Sequence, residues 1–149
     1  MTFREIEQTL PNGFHDAKIV RISLDYPAGT LVMNMRVLIG TPGEPDQDEY
    51  GPAEVSVTGL YLCSIEPPDP KYPFRLTGKP LGVSGDSSGN SSPEISNLMR
   101  KLPPSASCYR FFVEQWNSFI YVAGSDVQIS RSGVAVSPES VVTSSQPKP

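Results

Sequence analysis

Apolar residues recur at every second position over two neighbouring stretches, and this period of two constrains the fold more than any other feature. The first stretch spans 17–26 and carries Val20, Ile22, Leu24 and Tyr26 on one side. The second spans 31–39 and carries Leu31, Met33, Met35, Val37 and Ile39. Pro27-Ala28-Gly29 supplies a turn between them. The pattern predicts an antiparallel β-hairpin with one apolar face.

Further strands follow along the chain. Residues 53–66 form one, with Val55, Val57, Tyr61, Cys63 and Ile65 on one face and Leu60 and Leu62 on the other. Short edge pieces are predicted at 74–76 and 81–83, and 127–130 adds a last strand. Residues 108–115 and 118–123 form a pair that is apolar on both faces, which predicts central, covered strands. Its faces carry Tyr109, Phe111 and Val113 on one side and Phe112, Ile120 and Val122 on the other.

Two helices are predicted from their first residues. Thr2 and Glu5 have the spacing of a capping box, and Phe3, Ile6 and Leu10 follow at near-helical spacing. Ser92-Pro93-Glu94 begins the second helix, whose apolar stripe is Ile95, Leu98, Met99 and Leu102. We therefore expect a mainly β fold, an antiparallel sandwich or strongly curved sheet of six to eight strands. A short N-terminal helix and one packed amphipathic helix at about 93–102 complete it.

The length of 149 residues suits one domain, which we place at 1–131. From 132 to 149 aromatic residues are absent and Ser, Pro and Val dominate. Such a tail buries too little apolar surface to offset its ordering entropy, so it is predicted to be disordered. The Ser/Gly/Asn stretch at 85–92 has the composition of a flexible linker.

The charge balance disfavours two classes of partner. A net charge of -4 without any basic run disfavours nucleic acid and anionic membranes. No secretory signal or membrane-spanning apolar run occurs, which predicts a cytoplasmic protein. The acidic segment 41–52 is interpreted as a solvated loop. Asp46, Asp48 and Glu49 leave a calcium site as a weak alternative, because they lack the spacing of an EF-hand. We expect no metal and no cofactor.

Cys63 and Cys108 fall in apolar strands and are interpreted as buried thiols. They can pair only if their strands are neighbours. His15 is the only histidine, so any histidine chemistry must pass through it. With Asp16 it is interpreted first as a turn into the first strand, and alternatively as a partner contact or a general base. Side chains of neighbouring strand residues point to opposite faces, which disfavours a catalytic dyad of His15 and Asp16. We expect substitution of these residues to affect folding first.

The connection Glu114-Gln115-Trp116-Asn117 offers a second candidate. Trp116 is expected to lie over the open end of the core, or alternatively to be an exposed anchor for a protein partner. Asn117 suits a left-handed turn position. No Gly-x-Ser-x-Gly motif occurs and neither cysteine has a catalytic setting, so we do not expect an enzyme.

The opening Leu10-Pro11-Asn12-Gly13-Phe14-His15-Asp16-Ala17 resembles small uncharacterised bacterial proteins that begin with "FHDA" before their first strand. Glu114 to Ile120 also looks like their "W-N-x-F-I" hairpin. Some proteins with similar openings are regarded as immunity proteins of toxin systems. The resemblance therefore implies a bacterial, protein-binding role, and it supplies no active-site residues.

These observations lead to an expected function with two alternatives. The first expectation is a non-enzymatic, cytosolic, immunity-like domain that binds a protein partner. Its candidate binding residues are His15, Asp16, Glu114, Trp116 and Asn117. The alternatives are a small-ligand-binding or hydrolytic β domain with a pocket near His15, and a structural subunit of a homo-oligomer.

Overall fold

The computed structural model describes residues 1–72, 75–86 and 92–131. Their six strands form a closed barrel in the order β1-β2-β3-β6-β5-β4, and every neighbouring pair is antiparallel. The strands are β1 Ala17–Asp25, β2 Thr30–Leu38, β3 Tyr50–Ile65, β4 Leu81–Asp86, β5 Ser107–Val113 and β6 Ser118–Ser130. The predicted mainly antiparallel β class is confirmed, and the closed barrel is a more specific form of the curved sheet. The predictions for 132–149, residue 74 and 87–91 lie outside the described residues.

The barrel encloses the core because apolar side chains from adjacent strands meet in register. Leu31 stands opposite Val57, and Met33 stands opposite Val55. All four are fully buried. The alternation in β2 is therefore the pattern of a strand with one face inside the barrel and one outside.

A bulge in β1 changes the face that the alternation predicted. The register with β2 shifts between Ile19 and Arg21, which places Ile19 and Ile22 on the inward side. Val20 is 53% exposed instead of buried. Leu24 and Tyr26 reach the tip of the hairpin and are also exposed. The prediction is therefore wrong for Val20, because the extra residue interrupts the alternation at that point. Leu24 stands opposite the buried Leu31 and stays on the same side as Ile22, so its exposure comes from its place at the tip.

β3 contains a similar irregularity. Gly59 has a φ of 57°, and the register with β6 shifts between Leu60 and Leu62. As a result Leu60 and Cys63 pack against the core, whereas Tyr61 is 44% exposed. Tyr61 was predicted on the same face as Val55, and Leu60 on the opposite face. Both of these predictions are wrong.

β5 and β6 pair so that Phe111 stands opposite Ile120 and Tyr109 opposite Val122, all inside the barrel. Phe112 and Phe119 form an outer pair, with ring centroids 5.1 Å apart. The prediction that Ile120 and Val122 share a face with Phe112 is wrong, because the connecting turn sets this register. Residues 127–130 continue β6 and are not a separate strand.

α1 (Phe3–Thr9) closes one end of the barrel, which we call the helix end. Its capping box forms as predicted, with the Glu5 amide donating to Thr2 Oγ1 at 3.1 Å. Phe3 is fully buried, and its ring centroid lies 5.2 Å from that of Tyr109. The opposite end holds the turn at 26–29, the described parts of the loop 66–80 (66–72 and 75–80) and the turn at 114–117, and we call it the open end.

α2 (Pro93–Met99) is shorter than the predicted 93–102. Ser92 caps it as expected, accepting from the Ile95 amide at 3.4 Å. Ile95 is buried, but Leu98 is 43% exposed. The chain leaves the helix through a turn that reaches Leu102, so the predicted stripe is only partly covered.

Candidate functional site

The five residues predicted to bind a partner lie at two opposite ends of the barrel. His15 and Asp16 precede β1, which starts at the helix end. Glu114, Trp116 and Asn117 connect β5 to β6 at the open end. Because the strands are antiparallel, these two connections lie at opposite ends. The five residues therefore do not form one site.

His15 and Asp16 form an exposed pair on a turn. The His15 amide donates to the Asn12 carbonyl oxygen at 3.0 Å, and Asp16 has a left-handed φ of 58°. His15 Nε2 lies 3.6 Å from Asp16 Oδ2, with both side chains more than half exposed. The expectation that the two side chains diverge is wrong, because they lie in this turn and not on a strand. The turn interpretation itself agrees with the structure, and Phe14 is its fully buried residue.

A polar depression of about 390 Å³ lies beside this turn. It is lined by Arg4, Glu7, Gln8, Pro11, Asn12 and Gly13. One of these, Glu7, accepts a hydrogen bond at 2.5 Å from the hydroxyl of Tyr109. His15 does not line this depression or the cavity described next.

A larger and mainly apolar cavity, of about 460 Å³, lies at the open end. Its walls combine residues from the strands with residues of the loop 66–80. Leu76 is 80% exposed and Ile65 is 57% exposed, so the cavity is open to solvent on the loop side. Its apolar lining includes Ile19, Ile22, Ile65, Leu81, Val113 and Ile120.

The cavity exists because β1 and β4 separate. β1 pairs with β4 only from Ala17 to Ile19, and the last pair is Ile19 with Leu81. The bulge at Val20 follows at once, so the rest of β1 has no β4 partner. Residues 75–79 of the loop line the resulting gap. A bulge that ends pairing is a common way for a barrel rim to open.

Trp116 forms part of the cavity wall and is positioned by the turn that contains it. Glu114–Trp116 is a 3-10 turn, and Asn117 follows in the predicted left-handed conformation, with a φ of 45°. The Asn117 side-chain amide donates to Asp69 Oδ2 at 2.9 Å. Glu114 accepts from Ser84 Oγ at 3.1 Å. Trp116 packs half-buried against the core, which is the first of its two expected positions.

Basic side chains surround the apolar lining. Arg21, Arg75 and Lys79 all line the cavity and are exposed. Within the described ranges none of the three forms an ion pair. Glu66 is the one acidic residue of the lining, and its carboxylate accepts from the Phe119 amide at 2.7 Å. The cavity is therefore locally basic, although the chain as a whole is acidic.

The two thiols belong to different strands of the barrel, Cys63 to β3 and Cys108 to β5. Cys63 stands opposite Val122 and Cys108 opposite Ala123, so β6 separates them and they face opposite sides of the sheet. They cannot form a disulfide in this arrangement. Burial raises the pKa of both thiols. Among the described residues no group of three or more His, Cys, Asp or Glu side chains is placed to hold a metal ion.

Of the residues that line this cavity, only Trp116 was a candidate predicted from the sequence. Arg75 and Lys79 carried one usable signal, since they are basic residues close together in a proline-rich segment of an acidic chain. Arg21 carried none, because it appeared as an ordinary outward residue of a strand. Its place beside the cavity depends on the bulge and on the missing β4 pairing.

No family model, no curated protein and no solved structure matches the chain. The resemblance to the FHDA-opening proteins stays a prediction. In the described part of the chain, no helix is long and apolar enough to cross a membrane.

Proposed function

We propose that the protein is a non-enzymatic binding protein that holds a small apolar molecule in the cavity at the open end. The observation that carries this proposal is the mainly apolar cavity of about 460 Å³ between β1, β4 and the loop 66–80. Pockets for small ligands are usually concave, mostly apolar and of roughly 300–1,000 Å³. The cavity has each of these properties.

The surrounding scaffold supports the proposal. Ile120 and Val113 lie on paired barrel strands and are nearly fully buried, so the floor of the cavity is built from hydrogen-bonded strands. Ile65 and Leu76 at the mouth are exposed and would lose contact with water when a ligand enters. The small-ligand alternative is thus retained, but its site moves from His15 to the opposite end of the barrel.

Binding of the neutral fluorophore N-phenylnaphthylamine tests this proposal. Trp116 is the only tryptophan and lines the cavity, so a bound fluorophore should quench it by energy transfer. Ile22→Phe adds volume inside the lining and should weaken binding. Leu24→Phe is the matched control, because Leu24 is on the same strand, is 52% exposed and is not part of the lining.

Saturable quenching that Ile22→Phe weakens and Leu24→Phe leaves unchanged supports the proposal. Absence of saturable binding to the wild-type protein, or equal weakening by both variants, would overturn it. Circular dichroism of each variant confirms that the barrel is intact before binding is compared.

We propose, as a second candidate function, that the protein binds a protein partner through the tip of the β1–β2 hairpin. This candidate corresponds to the immunity-like role expected from the sequence. Tyr26 is 84% exposed, and Leu24 and Tyr61 are also exposed. The Leu60 amide donates to the Gly29 carbonyl oxygen at 2.9 Å, so the tip lies beside Tyr61. A protein that co-purifies with the wild type but not with Tyr26→Ser supports this candidate, and equal recovery with both removes its basis.

A further inference from the structure

We infer that the ligand of the open-end cavity is an amphipathic carboxylate, whose hydrocarbon part fills the cavity and whose carboxylate meets Arg21, Arg75 and Lys79. This inference rests on the proposed function and deepens it. An apolar cavity alone is sufficient for a neutral ligand. The three cations around the cavity favour a ligand that also carries a negative charge.

The cations come from two separate parts of the chain. Arg21 belongs to β1, directly after the bulge, whereas Arg75 and Lys79 bound the loop segment that lines the cavity. Residues that are distant in sequence thus bring the same charge to one opening. In the described residues no protein carboxylate forms an ion pair with any of them, so all three are available to an external anion.

The nearby acidic residue does not cancel this charge. Glu66 accepts from the Phe119 amide at 2.7 Å, and its own amide donates to the Phe119 carbonyl oxygen at 3.0 Å. Its carboxylate is therefore held to the β3–β6 ladder and not to a basic side chain. One carboxylate beside three cations leaves an excess of positive charge, on a chain whose net charge is -4.

The types of cation favour a carboxylate head group. A guanidinium matches a carboxylate with two parallel hydrogen bonds, and two of the three residues are arginines. Arg and Lys also lay their aliphatic stems along apolar surface while the charged group stays in water. A ligand with an apolar chain and a terminal carboxylate matches both features at once.

Competition against N-phenylnaphthylamine tests the inference with probes that differ only in their head group. Decanoate, decanol and decyltrimethylammonium are compared at low salt, below the concentrations at which they aggregate. Each exposed charge pair typically contributes roughly a twofold to fivefold change in affinity, so decanoate should bind about tenfold more tightly than decanol. The preference should fall as salt is added, because exposed charges are screened.

The combined variant Arg21→Gln/Arg75→Gln/Lys79→Gln should remove the preference while decanol binds as before. Arg4→Gln/Arg100→Gln/Lys71→Gln is the matched control, since it removes the same charges at exposed residues outside the cavity lining. The control should keep the preference for decanoate.

Three outcomes would contradict the inference. Equal binding of decanoate and decanol overturns it but leaves the proposed function intact. Loss of the preference in both combined variants shows a long-range effect of net charge and also overturns it. Failure of every probe, including N-phenylnaphthylamine, overturns the proposed function together with the inference.

Discussion

The side-chain amide of Asn117 donates to Asp69 Oδ2 at 2.9 Å and joins the turn that carries Trp116 to the loop 66–80. The Asp69 amide strengthens this connection by donating to the Trp116 carbonyl oxygen, also at 2.9 Å. Asp69 therefore links the loop to two consecutive residues of the turn, Trp116 and Asn117. The arrangement combines a hydrogen bond with a left-handed backbone, and the two contributions can be separated experimentally.

Asn117→Ala should destabilise the protein more than Asn117→Gly, by about 1 kcal/mol. Both variants lose the hydrogen bond to Asp69, but only alanine adds the steric cost of a left-handed φ, which is about 1–2 kcal/mol. Urea unfolding measures the difference. Equal stability of the two variants would show that the backbone conformation at 117 carries no cost.

Phe14→Ala should destabilise the protein by roughly 3–5 kcal/mol, because Phe14 is fully buried and packs against Phe111 with ring centroids 5.4 Å apart. His15→Ala should change stability by no more than about 0.5 kcal/mol, since its side chain is 64% exposed. The earlier expectation of a folding defect therefore moves from His15 to its neighbour. Thermal unfolding of both variants checks it, and a larger loss for His15→Ala would refute it.

Gly124→Ala should cost roughly 1–3 kcal/mol, because a methyl group at this position would overlap Val57 Cγ1 inside the barrel. Val57 is fully buried and cannot move into solvent. Gly82→Ala is the control, since its nearest neighbour would be the flexible Glu114 side chain at 3.3 Å. Chemical denaturation measures the free energy of unfolding of both variants. Similar values for Gly124→Ala and Gly82→Ala would rule out the overlap.

Glu5→Gln should reduce stability at neutral pH but not in acid. Hydrogen bonds from the Thr2 amide and hydroxyl hold the pKa of the Glu5 carboxyl below its usual 4.5. A lowered folded-state pKa contributes stability above the unfolded value, and this contribution is lost as the pH falls through the folded value. The difference in Tm between wild type and variant should therefore shrink below pH 4.5. A difference that stays constant from about pH 7 to about pH 3 would contradict the capping box as its source.

Alkylation of Cys63 and Cys108 should be slower in the folded protein than in urea. Burial raises the pKa of both thiols, which lowers the thiolate fraction at neutral pH, and only the thiolate reacts. Mass spectrometry after timed iodoacetamide treatment measures each site. Reaction of either cysteine at the unfolded rate would show that its site opens readily.

Local signals predicted the local elements well. Thr2 and Glu5 form the expected capping box, Ser92 caps α2, and Asn117 is left-handed. Each of these depends on interactions within a few residues, which the sequence displays directly. The β class followed in the same way, from alternation in β1 and β2 and from prolines and glycines between the strands.

The faces of the strands were predicted less well, and the bulges explain why. The irregularity after Ile19 removes Val20 from its predicted face, and the one around Gly59 and Leu60 exchanges the faces of Leu60 and Tyr61. Neither has a strong local signal, because a bulge forms when a strand must curve to pair with its neighbours. Closure of the barrel, through the short pairing of Ile19 with Leu81, likewise needs residues that are far apart in sequence.

The sequence by itself determined that the chain forms antiparallel strands, where most turns and helix caps lie, and that its overall charge is acidic. Only the tertiary structure decided that Arg21, Arg75 and Lys79 surround one apolar cavity and that His15 lies at the other end of the barrel. Periodicity reports which residues avoid water. The position of a cavity depends instead on where two distant strands stop pairing, and no local pattern contains that information.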